Sequence, residues 1–251
     1  MLRGFYTAAS GILVQERTID VLTNNMANAK TPGFRASRVV STTFDHELLT
    51  RIEDANTGRI GTGSPMRRVE DVLVNFSPNS LEETFRPYDM ALDGVGYFNI
   101  QTEDGATQYL TRNGSFDVDD NNQLVLPGHG LVMGENGPIQ LLTSDFTVES
   151  DGNIYDATGE LVDRLLITIP PEGAELEQVE NGLFTVPDMA ANLPVDATTK
   201  VVQSWLERNN IDLNQEYTMV MEAQRAFQAC SSALQIIDKI DQKAASQIAA
   251  L

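Results

Sequence analysis

Residues 212–250 run without a single proline or glycine. Along this stretch Leu213, Tyr217, Val220, Gln224, Phe227, Cys230, Leu234, Ile237, Ile240, Ala244 and Ile248 recur at steps of three or four, which places them on one face of a helix. Asp212 stands at the N-cap position, and Gln215 three residues on completes a capping-box spacing. At 1.5 Å per residue such a helix reaches about 58 Å, too long to be enclosed by a compact domain built from a chain of 251 residues. A helix with an apolar stripe must bury that stripe against something. The partner is either another helix of the same chain or other copies.

The chain offers one internal partner. Leu2, Phe5, Ala9, Ile12, Ile19 and Met26 recur at alternating steps of three and four, with Glu16 and Thr23 in the interrupted slots, a heptad-like stripe. This first helix is expected to end over residues 28–33, where Lys30 suits a helix C-terminus and Pro32 disfavours helical geometry at Thr31.

Between the helices the period changes. Tyr97-Phe98-Asn99-Ile100, Gln108-Tyr109-Leu110-Thr111, Ser115-Phe116-Asp117-Val118 and Gln123-Leu124-Val125-Leu126 are short runs separated by Glu103-Asp104-Gly105, Arg112-Asn113-Gly114 and Asp119-Asp120-Asn121-Asn122. Asn-Gly and Asp-Gly between such runs are hairpin signals. Phe146-Thr147-Val148, Ser150-Asp151-Gly152 and Asn153-Ile154-Tyr155 continue the pattern, and Leu165-Leu166-Ile167-Thr168-Ile169 is expected as a fully buried strand stopped by Pro170-Pro171. The reading is an α+β protein with a discontinuous helical domain from residues 1–34 and 203–251. Residues 72–186 form an inserted all-β domain. Residues 35–71, with Thr57-Gly58, Gly61-Thr62-Gly63 and Ser64-Pro65, and residues 187–202, with Pro187 and Pro194, are extended connectors.

Charge follows the same division. Residues 1–40 carry five basic and two acidic side chains, and residues 201–251 carry four and six. Residues 41–200 carry 8 basic and 28 acidic. Near-neutral ends can pack against copies of themselves, whereas the acidic middle repels phosphate and excludes nucleic acid as a partner. One cysteine, Cys230, and two histidines, His46 and His129, make no zinc cluster. Asp117-Val118-Asp119-Asp120-Asn121-Asn122 begins like an EF-hand loop, but Gln123 and Gly128 stand where its glycine and glutamate belong, so it reads as a solvated turn. No nucleophile-elbow, Walker or dinucleotide motif occurs in its required context. No cofactor, small-molecule substrate or catalytic residue is expected. No apolar run approaches the roughly 18 residues of a membrane span, and residues 1–22 lack the continuous apolar stretch of a cleaved signal.

Thr23-Asn24-Asn25-Met26-Ala27-Asn28-Ala29-Lys30-Thr31-Pro32-Gly33-Phe34 resembles the signature of the bacterial flagellar rod, hook and hook-associated axial proteins. Asp89-Met90-Ala91-Leu92-Asp93-Gly94-Val95-Gly96-Tyr97-Phe98 and Tyr109-Leu110-Thr111-Arg112-Asn113-Gly114-Ser115-Phe116 resemble two stretches of that family's β domain. Asn210-Ile211-Asp212-Leu213 and Met221-Glu222-Ala223-Gln224-Arg225-Ala226-Phe227 resemble its C-terminal motifs. The order is right from one end of the chain to the other, and the single β domain is that of the rod subfamilies rather than the hook protein. The resemblance implies a structural rod subunit of the flagellar basal body. It implies export beyond the cytoplasmic membrane by the flagellar type III apparatus without signal cleavage, and helical polymerisation with itself and with other rod and hook subunits. It marks Asn24, Asn25, Ala27, Asn28, Thr31, Pro32, Gly33 and Phe34 as the assembly motif, beside Leu213, Tyr217, Val220, Gln224, Phe227, Leu234 and Ile237 as helix-packing positions. A binding module carried on a helical stalk is the alternative from a different class.

Overall fold

The computed structural model describes residues 2–43, 67–102, 104–105, 107–141, 145–171, 176–179, 182–186, 193–194 and 199–248. The chain divides into two compact units, Met1–Ala27 with Ala36–Asn75 and Ile211–Leu251, and Asn28–Arg35 with Phe76–Asn210.

The first unit holds an N-terminal helix, Leu2–Ala27, and a C-terminal helix, Leu213–Ile248, packed on each other. The second starts as its capping residue dictates: Asp212 Oδ1 accepts from the backbone N–H of Asn214 at 3.0 Å and of Gln215 at 3.4 Å. On the N-terminal helix the seam is rotated by one residue, about 100°, from the stripe that hydropathy picks out. Ala8, Val14, Val21, Leu22 and Asn25 are buried, while Phe5 is exposed and Ile12, Ile19 and Met26 are only half-buried. The reason is size. The C-terminal helix fits most closely over small residues: a Cβ added to Gly11 would lie 2.9 Å from Cys230 Sγ, and one on Gly4 would lie 3.3 Å from Ile237 Cδ1. Knobs at 230 and 237, one heptad apart, therefore sit over holes at 4 and 11, also one heptad apart.

Strand β1, Ser37–Thr43, pairs antiparallel with β2, Arg67–Val74, and this ribbon packs on the N-terminal helix. Part of the expected connector 35–71 is thus a strand that belongs with the helices, and a bulge at Val40/Ser41 bends it. Thr57-Gly58, Gly61-Thr62-Gly63, Ser64-Pro65 and His46 lie outside the described residues.

The second unit is all β. Its strands are β3 Leu81–Glu83, β4 Met90–Asp93, β5 Tyr97–Gln101, β6 Gln108–Thr111, β7 Asp117–Val118, β8 Leu124–Leu126, β9 Gly130–Gly134 and β10 Gly137–Pro138. They continue as β11 Phe146–Val148, β12 Asn153–Asp156, β13 Leu161–Arg164, β14 Ile167–Ile169, β15 Glu177–Gln178, β16 Leu183–Thr185, β17 Leu193–Pro194, β18 Lys200–Gln203 and β19 Trp205–Glu207. The largest sheet runs β15-β16-β6-β5-β9-β8-β7, with β10 on β9 and β14 joining β5 to β17. A second sheet is β11-β12-β13, and two ribbons, β18-β4 and β19-β3, bring the last β residues back beside the first. The sequence boundary at 203 therefore falls inside a β ribbon, and the unit continues to Asn210.

Phe98, Ile100, Leu110, Phe116, Leu124, Val132, Ile139 and Ile154 are fully buried. The run 165–169 is only partly in the core: Leu165 is buried, Leu166, Ile167 and Ile169 are half-buried, and buried Thr168 accepts a hydrogen bond from Asn99 Nδ2 at 3.0 Å. The β7–β8 hairpin is closed by Asp119, whose Oδ1 accepts from the N–H groups of Asn121 and Gln123, both at 2.8 Å. Those backbone donors hold its carboxyl below the usual aspartate range, so the EF-hand-like segment is a self-satisfied turn. Phe116 meets Phe98 edge-to-face with centroids 5.1 Å apart. Phe116→Ala is expected to cost the β unit about 3–5 kcal/mol, measured by urea unfolding followed through near-ultraviolet circular dichroism.

Candidate assembly site

The motif that ends the N-terminal helix divides between the two units. In the first, Asn24 and Ala27 are exposed, and Asn25 is fully buried. Asn25 Nδ2 donates to the Ser37 carbonyl at 2.9 Å, and the Ser37 N–H donates back to Asn25 Oδ1 at 3.0 Å. One amide side chain thereby extends the hydrogen bonding of β1 onto the helix, a fit that needs both a donor and an acceptor. Asn25 Nδ2 also lies 3.4 Å from Glu216 Oε2 of the C-terminal helix. Glu216 is only 1% exposed, and Arg38 of β1 pairs with it through both guanidinium nitrogens. Helix, ribbon and second helix meet at this one polar knot.

In the second unit, Thr31 N–H donates to the Asn28 carbonyl at 3.0 Å, and Thr31 Oγ1 to Asn28 Oδ1 at 3.2 Å, closing a turn ahead of half-buried Pro32. Gly33 has φ +66°, and a Cβ there would fall 2.4 Å from the Arg112 carbonyl carbon. Only glycine meets both demands. Its N–H donates to the Glu207 carbonyl at 2.8 Å. Phe34 is fully buried and packs over Gly182.

Arg35 then completes a cluster that sequence reasoning missed. Glu207 on β19 is 3% exposed; Arg35 Nη2 lies 2.5 Å from its Oε1, and Arg112 Nη1 lies 3.3 Å from its Oε2. Arg112 also donates to the carbonyls of Leu92 at 3.3 Å and Gly94 at 2.6 Å, and its guanidinium stands 5.4 Å from the Tyr97 ring centroid. Arg35 donates to the Ser77 carbonyl, and Asn209 to that of Ala29. Burial pushes the Glu207 carboxyl up while Arg112 and Arg35 pull it back, and burial lowers Arg112 against the pull of Glu207. A proton on Glu207 would leave two buried cations beside each other. Arg112 stands inside the Thr111-Arg112-Asn113-Gly114 motif, the one sequence signal that could have found this cluster.

The helix-packing positions differ in burial. Val220, Phe227, Leu234 and Ile237 are half-buried. Gln224, Leu213 and Tyr217 are exposed, and Tyr217 keeps 58% of its surface accessible. With Met221, Ile236 and Ile240, and with Phe5, Tyr6 and Leu13 of the N-terminal helix, Leu213 and Tyr217 leave large apolar side chains in solvent.

Family models match three parts of this arrangement. "Flagella basal body rod protein" covers residues 5–35, "Flagellar hook protein FlgE/F/G D1 domain" residues 91–141, and "Flagellar basal body rod FlgEFG protein C-terminal" residues 202–248. The flagellar basal-body rod protein FlgG of Bacillus subtilis is 33% identical over 263 residues, spanning 97% of this chain and 98% of that protein. This chain belongs to the flagellar basal-body rod protein family. FlgF of Escherichia coli, also a flagellar basal-body rod protein, is 30% identical over 94% of this chain and 92% of its own length. The flagellar hook-basal body complex protein FlhO of Bacillus subtilis is 28% identical over 99% of both. The rod family is structural, and its first and last models cover the helices whose apolar side chains are left in solvent.

For the Glu207 cluster, Glu207→Gln removes the anion from two buried guanidiniums and is expected to cost about 3–5 kcal/mol. Asn25→Ala removes a reciprocal pair of hydrogen bonds and is expected to cost about 1–3 kcal/mol. Chemical denaturation of the two purified variants checks both values.

Proposed function

We propose that this rod-family chain polymerises helically through its terminal helices, with itself and with other rod and hook subunits, into the hollow shaft that carries torque to the hook. The exposed apolar side chains along the helix pair, Phe5, Tyr6 and Leu13 with Leu213, Tyr217, Met221, Ile236 and Ile240, support this most directly. A helix pair already satisfied in its own seam has no internal use for these side chains, and patches of this kind mark interaction surfaces. The motif residues Asn24, Asn25, Ala27, Asn28, Thr31, Pro32, Gly33 and Phe34 serve this assembly by fixing where the helix ends and how the chain enters the β unit.

The location that follows is the flagellar basal body, reached through the flagellar type III apparatus with the N-terminus uncleaved. The β unit carries 23 acidic and 5 basic residues over 76–210, a surface that suits solvent and not nucleic acid. No small-molecule substrate or cofactor enters this reading. The stalked binding module of the alternative would need its β domain and not its helix face for function.

Leu13→Glu and Tyr217→Glu separate the two. Both positions are exposed, so helicity of the purified chain should be unchanged by circular dichroism. In the bacterium, the double variant is expected to be missing from isolated basal bodies, and the cells to be non-motile. Normal motility with the double variant present would overturn the helical-polymer reading.

A further inference from the structure

The ribbons β4-β18 and β3-β19 are one antiparallel ladder with a single interruption. Met90 pairs with Gln203 and Glu83 with Trp205, so Ser204 alone on one strand faces residues 84–89 on the other. This excursion is tied down. Thr84 N–H donates to the Ser204 carbonyl at 2.9 Å, Ser204 N–H to that of Asp89 at 2.7 Å, and Gln203 Nε2 to that of Pro87 at 3.0 Å. The Tyr88 ring lies 5.6 Å from that of Phe146, and Arg86 reaches Asp89 at 3.7 Å and Asp117 at 4.0 Å. Within it, Phe85 is 79% exposed and has φ +61°. A bulky side chain in the left-handed region is strained, and an exposed phenyl ring gains nothing from folding. A rigid backbone that presents a strained aromatic to solvent has the form of a preorganised binding anchor.

A second apolar feature lies across the neighbouring sheet. In the β12–β13 hairpin Ile154 faces Asp163 but Tyr155 faces Leu161, leaving Val162 as the bulged residue. The bulge leaves Leu161 and Val162 exposed side by side. β13 is one edge of the β11-β12-β13 sheet. The other edge, β11, is the one beside the excursion: Gln203 Nε2 donates to the Phe146 carbonyl at 3.3 Å, and Val148 N–H donates to Gln203 Oε1 at 3.0 Å. Anchor and patch thus sit at opposite edges of one three-stranded sheet. Each has an opposite charge next to it in the chain, Arg86 beside Phe85 and Glu160 beside Leu161.

We propose that Phe85 of one copy docks on Leu161 and Val162 of the next, with Arg86 set towards Glu160, as a head-to-tail contact between β units; it rests on the polymer reading above. Two different patches meet, so the contact does not close on itself and propagates along a helix of subunits. The acidity of the β unit disfavours broad face-to-face packing of copies. A contact confined to one aromatic anchor and one opposite-charge pair keeps that repulsion small.

The test uses cysteines at both positions in the otherwise unaltered chain, whose own thiol, Cys230, lies in the helix seam against Gly11, expressed in place of the native chain in its own bacterium. Basal bodies are isolated, treated with a short bismaleimide and blotted for this chain. The Phe85→Cys/Leu161→Cys variant is expected to give a ladder of linked copies, and either single variant a monomer band. The contact is wrong if the double variant is present in basal bodies but unlinked, if Phe85→Cys alone gives dimers, or if the link runs to a different protein. Absence of the unaltered chain from isolated basal bodies would instead bring down the rod-polymer reading, and this contact with it. Phe85→Gly provides a second measurement. Relief of the strained backbone should raise the melting temperature of the purified chain by about 2–4 °C, while swimming is impaired. Unimpaired swimming in that variant would also overturn the proposal.

Discussion

Small residues in the helix seam decide what the rest of the chain can do. Gly4 and Gly11 let Ile237 and Cys230 of the C-terminal helix come so close that a methyl group on Gly11 would not fit. The seam is therefore closed with little apolar bulk: among the described apolar side chains of the C-terminal helix, only Ala223 is buried. Bulky side chains such as Phe5, Leu13, Tyr217 and Ile240 remain outside it. A pair that buried its largest residues internally would be a more stable monomer and a poorer subunit. Here several of the largest apolar side chains of the helix pair stay exposed instead.

The two polar knots answer a different demand, the definition of chain direction at the ends of the helices. Asn25 and Glu216 order the first unit where the N-terminal helix stops and the C-terminal helix begins. Arg35, Arg112 and Glu207 do the same inside the second unit, where residues 28–35, 76–81 and 205–210 run together. Apolar packing tolerates sliding. A buried carboxylate with two guanidiniums does not, because any shift leaves a charge without a partner at a cost of several kcal/mol. That kind of register is fixed within each unit by charge pairing and not by apolar packing alone.

Much of this was legible in the sequence, for reasons that name themselves residue by residue. The C-terminal helix announced itself through its period, its Asp212 cap and its lack of proline and glycine. The β7–β8 hairpin followed from Asp119 to Asn122, and the α+β architecture from the change of period between the helices. The seam on the N-terminal helix was misread because hydropathy weights Phe5, Ile12 and Ile19 above Gly4, Ala8 and Gly11, whereas close approach favours the latter. The β1–β2 ribbon was missed because its strands are separated by residues 44–66, and a pairing that distant has no local turn signal. The Glu207 cluster joins residues 35, 112 and 207. No pattern in a single sequence reports which charged side chains will be buried together. Leu213 and Tyr217 share a helix stripe with Val220 and Phe227 yet stay exposed, because a period reports which side chains line up on a helix and not how much of that line a partner covers.

In the proposed polymer, charge would divide contacts between copies unequally along the chain. The N-terminal helix has equal numbers of acidic and basic side chains, and the C-terminal helix has four acidic against three basic. Neither resists packing with its own copies, so apolar burial there acts almost unopposed. The β unit, with its 23 acidic residues, repels its neighbours over the screening length of about 8 Å at physiological ionic strength. Where such units are brought together, the favourable free energy has to come from the helices. In the proposed contact the β unit's own contribution would be confined to few points, with Phe85 as the anchor and Arg86 as one of the unit's five basic residues. Strain at a single residue is tolerable in that role because it is carried by a ladder already held on both sides, β3-β19 and β4-β18, rather than by a free loop.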